Sequence, residues 1–231
     1  MPLKKSTGNM YDWCGFTHSH LGGQCPHLCS YCYVTSVRFG RPARYQGPLR
    51  LLEEEFKVKY GEGRTIFLEH CNDLFAEAVD SSFIDRVLAH ARAWPKNTYV
   101  FQSKNPARFM GWLKEIPLGS ILGTTIESNR WHSAMGSSPS PAVRHNAMVD
   151  LRGHGFRTFL TIEPVMAFDA EVLAQWVADI GPNFLNIGAD SKGHGLVEPN
   201  GADVRALVAE LAKRGVEVRE KHNLGRLLGA T

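Results

Sequence analysis

Three cysteines on one short stretch are the residues of this sequence best suited to chemistry. Gly23-Gln24-Cys25-Pro26-His27-Leu28-Cys29-Ser30-Tyr31-Cys32-Tyr33 spaces them as Cys-x3-Cys-x2-Cys. Thiolates this close on a single loop can bind three irons of a [4Fe–4S] cluster, leaving the fourth iron open to chelate a small molecule. The same residues could instead build a zinc site, with a fourth ligand from Cys14, His18, His20 or His27. Zinc motifs usually pair two Cys-x2-4-Cys elements a dozen or more residues apart, and no second pair follows here.

Cys14 and Cys71 complete a set of five cysteines, four of them within the first 32 residues. The count is odd, and 231 residues can build a core without staples, so a disulfide framework is a poor account of them. With 43% apolar and 21% charged residues the composition is globular, which excludes disorder. Lys plus Arg number 26 against 23 acids, and no basic run concentrates the resulting +3. That balance permits a nucleic-acid partner without demanding one. No stretch approaches the ~20 apolar residues of a membrane span, so no membrane partner is expected. Met1-Pro2-Leu3-Lys4-Lys5 lacks the apolar core of a signal peptide, so a cytoplasmic location is expected.

The elements that must position the cysteines alternate in type. Short apolar runs predict strands at 65–69, 98–102, 120–126, 156–162 and 184–187, with a sixth within 8–20 and a terminal one at 216–218. Helical spacing predicts helices over 81–94, from Pro106 with Phe109, Met110 and Leu113 inward, over 141–151, after Asp169 with Val172, Trp176, Val177 and Ile180 inward, and over 202–214. No linker or repeat interrupts them, which predicts one domain over 1–231. Repeated βα units give a parallel sheet, either an open partial barrel or a doubly wound sheet, with ligands at the strands' C-terminal ends. The polar residues at those ends are Glu69, His70, Asn72 and Asp73; Ser103, Lys104 and Asn105; Glu127, Ser128, Asn129 and Arg130; Glu163; and Asp190, Ser191 and Lys192.

Cys25-x3-Cys29-Ser30-Tyr31-Cys32, with an aromatic residue directly before the last cysteine, resembles the signature of the radical S-adenosylmethionine (SAM) enzymes. The partial (β/α)6 TIM-like barrel of that superfamily matches the element count, so the resemblance covers nearly the whole chain. Glu69-His70-Cys71-Asn72-Asp73-Leu74-Phe75, Gln102-Ser103-Lys104-Asn105-Pro106, Thr125-Ile126-Glu127-Ser128 and Thr161-Ile162-Glu163-Pro164 look like a group of small members, some phage-encoded, loosely similar to the spore photoproduct lyase type of DNA-repair enzyme.

The resemblance implies that Cys25, Cys29 and Cys32 hold a [4Fe–4S] cluster. SAM on the open iron would be reductively cleaved to a 5′-deoxyadenosyl radical that abstracts hydrogen from a substrate. It implies a one-electron reductant of flavodoxin or ferredoxin type, and a nucleotide or nucleic acid is the favoured substrate class. Tyr31 would pack near the adenine. A Gly-Gly-Glu-Pro-like motif is replaced here by Glu69-His70-Cys71-Asn72-Asp73, which leaves Glu69, Asn72 and Asp73 as candidates for the SAM ammonium. Ser103, Lys104, Glu127, Ser128 and Arg130 stand where relatives contact the SAM carboxylate or ribose. Glu163, held before Pro164, would touch SAM or substrate, and Cys71 could donate a hydrogen atom to a product radical. A buried structural thiol is the plainer account of Cys71. Competing functions are a small-molecule-modifying or glycyl-radical-activating enzyme and a zinc-stabilised nucleic-acid-binding module.

Overall fold

The computed structural model describes residues 3–7, 10–35 and 43–229. Among the described residues the strands are β1 (Lys4–Lys5), β2 (Phe16–His18), β3 (Leu21–Gly22), β4 (Arg50–Leu51), β5 (Thr65–Leu68), β6 (Thr98–Gln102), β7 (Ile121–Thr125), β8 (Arg157–Ile162), β9 (Phe184–Ile187) and β10 (Val218–Glu220). The helices are α1 (Ser81–Arg92), α2 (Pro141–Leu151), α3 (Ala170–Ile180), α4 (Gly201–Lys213) and α5 (Gly225–Leu228). No helix among the described residues is long and apolar enough to cross a membrane.

The main sheet runs β1-β2-β5-β6-β7-β8-β9-β10. Only β1 is antiparallel to its neighbour. From β2 to β10 every pairing is parallel. Strand order follows chain order without reversal, which decides between the two parallel architectures. A doubly wound sheet reverses direction at a switch point, whereas a partial barrel does not. The barrel stays open, because among the described residues β10 pairs only with β9. β3 and β4 form a separate hairpin-like pair beside the cysteine loop.

Both faces of the strands are apolar, as parallel strands require. Ile66, Leu68, Tyr99, Phe101, Leu122, Leu160, Ile162, Leu185 and Ile187 face the helices in the larger core. Alternate residues Phe67, Val100, Ile121, Phe159 and Phe184 face the lumen, which Tyr11 and Trp13 fill from the N-terminal segment. Tyr11 stacks on Trp13 with centroids 5.1 Å apart and donates to Gln102 Oε1 at 2.8 Å. Gly123 is required at the centre of β7, since a Cβ there would lie 2.3 Å from the Phe159 ring.

The strand predicted within 8–20 is β2; positions 8 and 9 lie outside the described residues. Two helix faces differ from expectation. Pro106–Trp112 is a 3-10 helix, and its three residues per turn bury Phe109 while leaving Met110 40% exposed. In α3, Leu173, Val177 and Ile180 define the buried stripe, and Val172 turns to solvent.

Candidate active site

The cysteine loop leaves β3 at the C-terminal mouth of the barrel. All five cysteines are free thiols; Cys29 is buried and Cys25 and Cys32 are half-buried. Among the described residues no three His, Cys, Asp or Glu side chains converge as they would on a single ion. Side chains from the ends of the next strands hold this loop from behind. Glu69, in the left-handed region at φ 61°, accepts from the backbone N–H groups of His20 at 2.7 Å and Leu21 at 3.0 Å. Asn72 Nδ2 donates to Gly23 O at 3.1 Å. Asp73 accepts from His27 Nε2 at 2.7 Å and from the backbone N–H groups of Lys104 and Phe75. Burial would raise the Asp73 carboxyl, but His27 and these donors outweigh it and hold it below the usual range. The three residues predicted to meet the SAM ammonium are thus bonded to the loop and to the β6 end.

The loop after β7 closes on the cysteines from the other side. Ser30 N–H donates to Ala134 O at 2.9 Å and Ser137 N–H to His27 O at 2.7 Å. Gly136, at φ 61°, passes so close that a Cβ would lie 2.1 Å from His27 O. Gly136→Ala is expected to displace the cysteine loop and destabilise the chain by at least ~1 kcal/mol. Thermal unfolding of the iron-free chain measures this; an unchanged midpoint would contradict the contact.

Beside Cys29 the structure gathers Tyr31, Lys104 and Glu127 from the predicted set. Tyr31 Oη donates to Glu127 Oε1 at 2.5 Å, and Lys104 Nζ bonds both Tyr31 Oη, at 2.8 Å, and Glu127 Oε1. Arg144 of α2 completes the cage: its Nη1 lies 2.8 Å from Glu127 Oε2 and 2.6 Å from Thr125 O. Glu127 and Arg144 are both 0% exposed. Burial would raise the Glu127 carboxyl, but Lys104, then Arg144, hold it at about 2. Two cations against one carboxylate leave one positive charge in excess beside the cysteines. That surplus suits an anionic ligand.

Cys71 is buried at the end of β5, with Tyr33 Oη 3.7 Å from its sulfur. Burial pushes the thiol up, so it stays protonated at neutral pH. Across the mouth, Glu163 receives Lys221 Nζ at 2.6 Å and Asn223 Nδ2 at 2.8 Å. A cleft of about 400 Å³, lined by Tyr11, Trp13, Asn186, Arg219 and Lys221 among others, opens on this side.

Ser103, Ser128 and Arg130 have other partners. Ser103 Oγ accepts from Asn105 N–H at 2.8 Å, and Ser128 Oγ donates to Ala167 O at 2.7 Å. Arg130 is half exposed and pairs with Asp169, with Nε 2.9 Å from Oδ2. Arg144, Tyr33, Lys221 and Asn223 are site residues that sequence reasoning missed. Arg144 carried a signal: it shares the helical spacing of Ala147, Met148 and Leu151, so a cation occupies the buried stripe of α2.

No protein-family model matches the chain, and no curated protein matches it. Solved structures of spore photoproduct lyase do. A cysteine-to-serine variant superposes with TM-score 0.65 at 11% identity, over 93% of this chain and 79% of that one. A tyrosine-to-phenylalanine variant gives TM-score 0.65 at 10% identity, over 94% and 80%. A double variant with bound AdoMet and dinucleoside spore photoproduct gives TM-score 0.53 at 13% identity, over 91% of this chain and 66% of that one. This chain thus spans just under two thirds of the length of that liganded lyase. Superposition at identities this low shows a common fold alone, the partial barrel that the strand order describes.

Proposed function

We propose that this chain is a radical SAM enzyme acting on a nucleotide or nucleic acid. The observation that carries the proposal is the three-cysteine loop at the barrel mouth, set against a buried cage with one positive charge to spare. A cluster takes each thiolate on a different iron, so its ligands ring it and need not converge on one point, and three half-buried or buried free thiols fit that demand. When bound at Cys25, Cys29 and Cys32, a [4Fe–4S] cluster would supply the electron that cleaves SAM to a 5′-deoxyadenosyl radical.

The chain's own residues orient and shield. Lys104, the more exposed cation of the cage, attracts the SAM carboxylate, while Arg144 stays locked on Glu127 and holds the cage rigid. Tyr31 presents its ring beside Lys104, with Nζ 4.9 Å from the ring centroid, and would border the adenine. Glu69, Asn72 and Asp73 act through the loop they hold. Cys71 S–H would give a hydrogen atom to a substrate carbon radical, forming the product C–H bond and a thiyl. The Tyr33 hydroxyl, 3.7 Å from that sulfur, would return a hydrogen atom to it and become a tyrosyl radical, which one electron from the external donor and a proton would quench. Glu163, oriented by Lys221 and Asn223, faces the substrate from the opposite side. The substrate class rests on the shared fold with a lyase solved with a dinucleoside, and on a cleft walled by Trp13 and Tyr11. Electrons would come from a flavodoxin- or ferredoxin-type donor.

Anaerobic reconstitution tests the proposal: a brown protein with about four irons per chain that converts SAM to 5′-deoxyadenosine supports it. A colourless chain binding one zinc refutes it. Cys71→Ala is expected to keep the iron and to cleave SAM within about twofold of the parent, since a thiol off the cluster loop adds nothing to cleavage. Loss of cleavage with the iron retained would remove Cys71 from the role of hydrogen donor.

A further inference from the structure

We propose that His20, Glu69 and His90 share one proton more than a carboxylate and two neutral imidazoles carry, and that the resulting buried imidazolium latches the chain leading into the cysteine loop. His20 and His90 are then positioning residues for that loop. The inference is independent of the radical chemistry proposed above.

Three hydrogen bonds run in series. His90 Nε2 lies 3.1 Å from Val58 O, His90 Nδ1 lies 2.8 Å from His20 Nε2, and His20 Nδ1 lies 2.7 Å from Glu69 Oε1. A carbonyl only accepts, so His90 Nε2 carries hydrogen. A carboxylate only accepts, so His20 Nδ1 carries hydrogen. The bond between the rings needs a third N–H, and two neutral imidazoles have only two. Without the extra proton, two lone pairs would face each other at 2.8 Å. The Tyr60 hydroxyl, 3.0 Å from His20 Nε2, leaves that conflict in place, because His90 Nδ1 would still meet a lone pair. Turning either ring over puts carbon at two of its contacts and breaks two of the three bonds. Moving the proton onto Glu69 leaves the count unchanged.

The surroundings place the charge on His20. His20 is 0% and Glu69 3% exposed. Burial would raise the Glu69 carboxyl, but His20 outweighs it and holds it ionised. Burial pushes His90 down to about 4, with the charge of His20 adding to the effect, so His90 accepts through Nδ1. His18, edge-on to His20 at 4.6 Å, is pushed down to about 3 by burial and bonds Glu55 O at 3.2 Å. The Glu55 carboxylate is taken by Arg44 at 3.0 Å. Phe56 covers the remaining side of the His20 ring, 4.7 Å away. Among the described residues Glu69 is thus the one carboxylate bonded to His20. With the same two oxygens Glu69 grips the backbone N–H groups of His20 and Leu21, five and four residues before Cys25, and His90 ties the assembly to α1.

Ring-nitrogen NMR of the full chain, labelled with ¹⁵N-histidine and purified without iron, reads the proton directly. At about pH 7.5, a pH at which a free histidine of pKa ~6.5 is mostly neutral, one ring is expected to show two protonated nitrogens. Two singly protonated rings overturn the proposal. Alkylation of the loop thiols reads the positioning role. His90→Phe is expected to speed alkylation of Cys25 several-fold while leaving buried Cys14 unchanged. His90→Gln, which keeps an acceptor for His20 and a donor for Val58 O, is expected to restore the parent rate. Equal rates in all three proteins, or Cys14 and Cys25 rising together, refute the latch.

Discussion

Replacing Arg144 with methionine is expected to lower folding stability by about 3–5 kcal/mol, the loss measured when one partner of a buried ion pair is removed. Arg144 and Glu127 are both fully buried, so the variant leaves a carboxylate in an apolar site with only Lys104 and Tyr31 to answer it. It also frees two carbonyls, Thr125 O at the end of β7 and Pro139 O ahead of α2, which Arg144 caps at 2.6 and 2.8 Å. Arg144→Lys keeps the charge but cannot span the carboxylate and both carbonyls, and should recover only part of the loss. Chemical unfolding of the iron-free chain measures both variants; a deficit below ~1 kcal/mol for methionine would show that the pair contributes little. The cage also sets an acid limit. The Glu127 carboxyl is depressed to about 2 in the folded chain, against ~4.3 in an unfolded one, so its contribution is fully present above about 4.3 and is lost as pH falls toward 2. In Arg144→Met the loss still starts near the unfolded value, but it is smaller and ends at a higher pH, because the folded carboxyl is less depressed.

Cys29→Ala is expected to abolish both iron retention and SAM cleavage, a fall of at least ~10²-fold in 5′-deoxyadenosine formation, because two thiolates cannot hold a cluster whose open iron must bind SAM. Cys29 is the buried member of the triplet, under the loop after β7, with Met135 O 3.3 Å from its sulfur. Removing its sulfur therefore takes away the ligand with the least freedom to be replaced by a neighbour. The comparison with Cys71→Ala gives the experiment its power: both remove a buried thiol near the barrel mouth, yet only one should lose iron. Retained cleavage in Cys29→Ala, measured under the same anaerobic conditions, would sink the cluster assignment. Equal loss in both variants would show that folding, and not ligation, had failed.

Much of this was legible without coordinates. The Cys-x3-Cys-x2-Cys spacing is a property of one short segment, and the alternation of apolar runs with helical stripes placed β5 to β9 and α1, α2, α3 and α4 to within two residues at most ends. Parallel strands buried on both faces read as continuous apolar runs, so their existence needs no partner to be known. Polar residues at their C-terminal ends followed from the same pattern.

The tertiary structure decided which of those polar residues meet. Tyr31 and Glu127 are 96 positions apart, Glu163 and Lys221 58 apart, and His20 and Glu69 49 apart. No local pattern links such pairs; strand order does, by bringing successive strand ends to one rim. That is why Glu69, Asn72 and Asp73 bond the segment from His20 to His27, and why Arg130 has Asp169. The lumen is a second case. Tyr11 and Trp13 precede the cysteines and carry no periodic signal, yet an open barrel must fill its interior, and these rings do so. Sequence alone determined the cysteine loop and the kind of scaffold beneath it. The environment of that loop, one surplus cation on one side and a carboxylate–histidine chain on the other, exists only once the open sheet has curled around it, because burial turns paired charges into a fixed geometry.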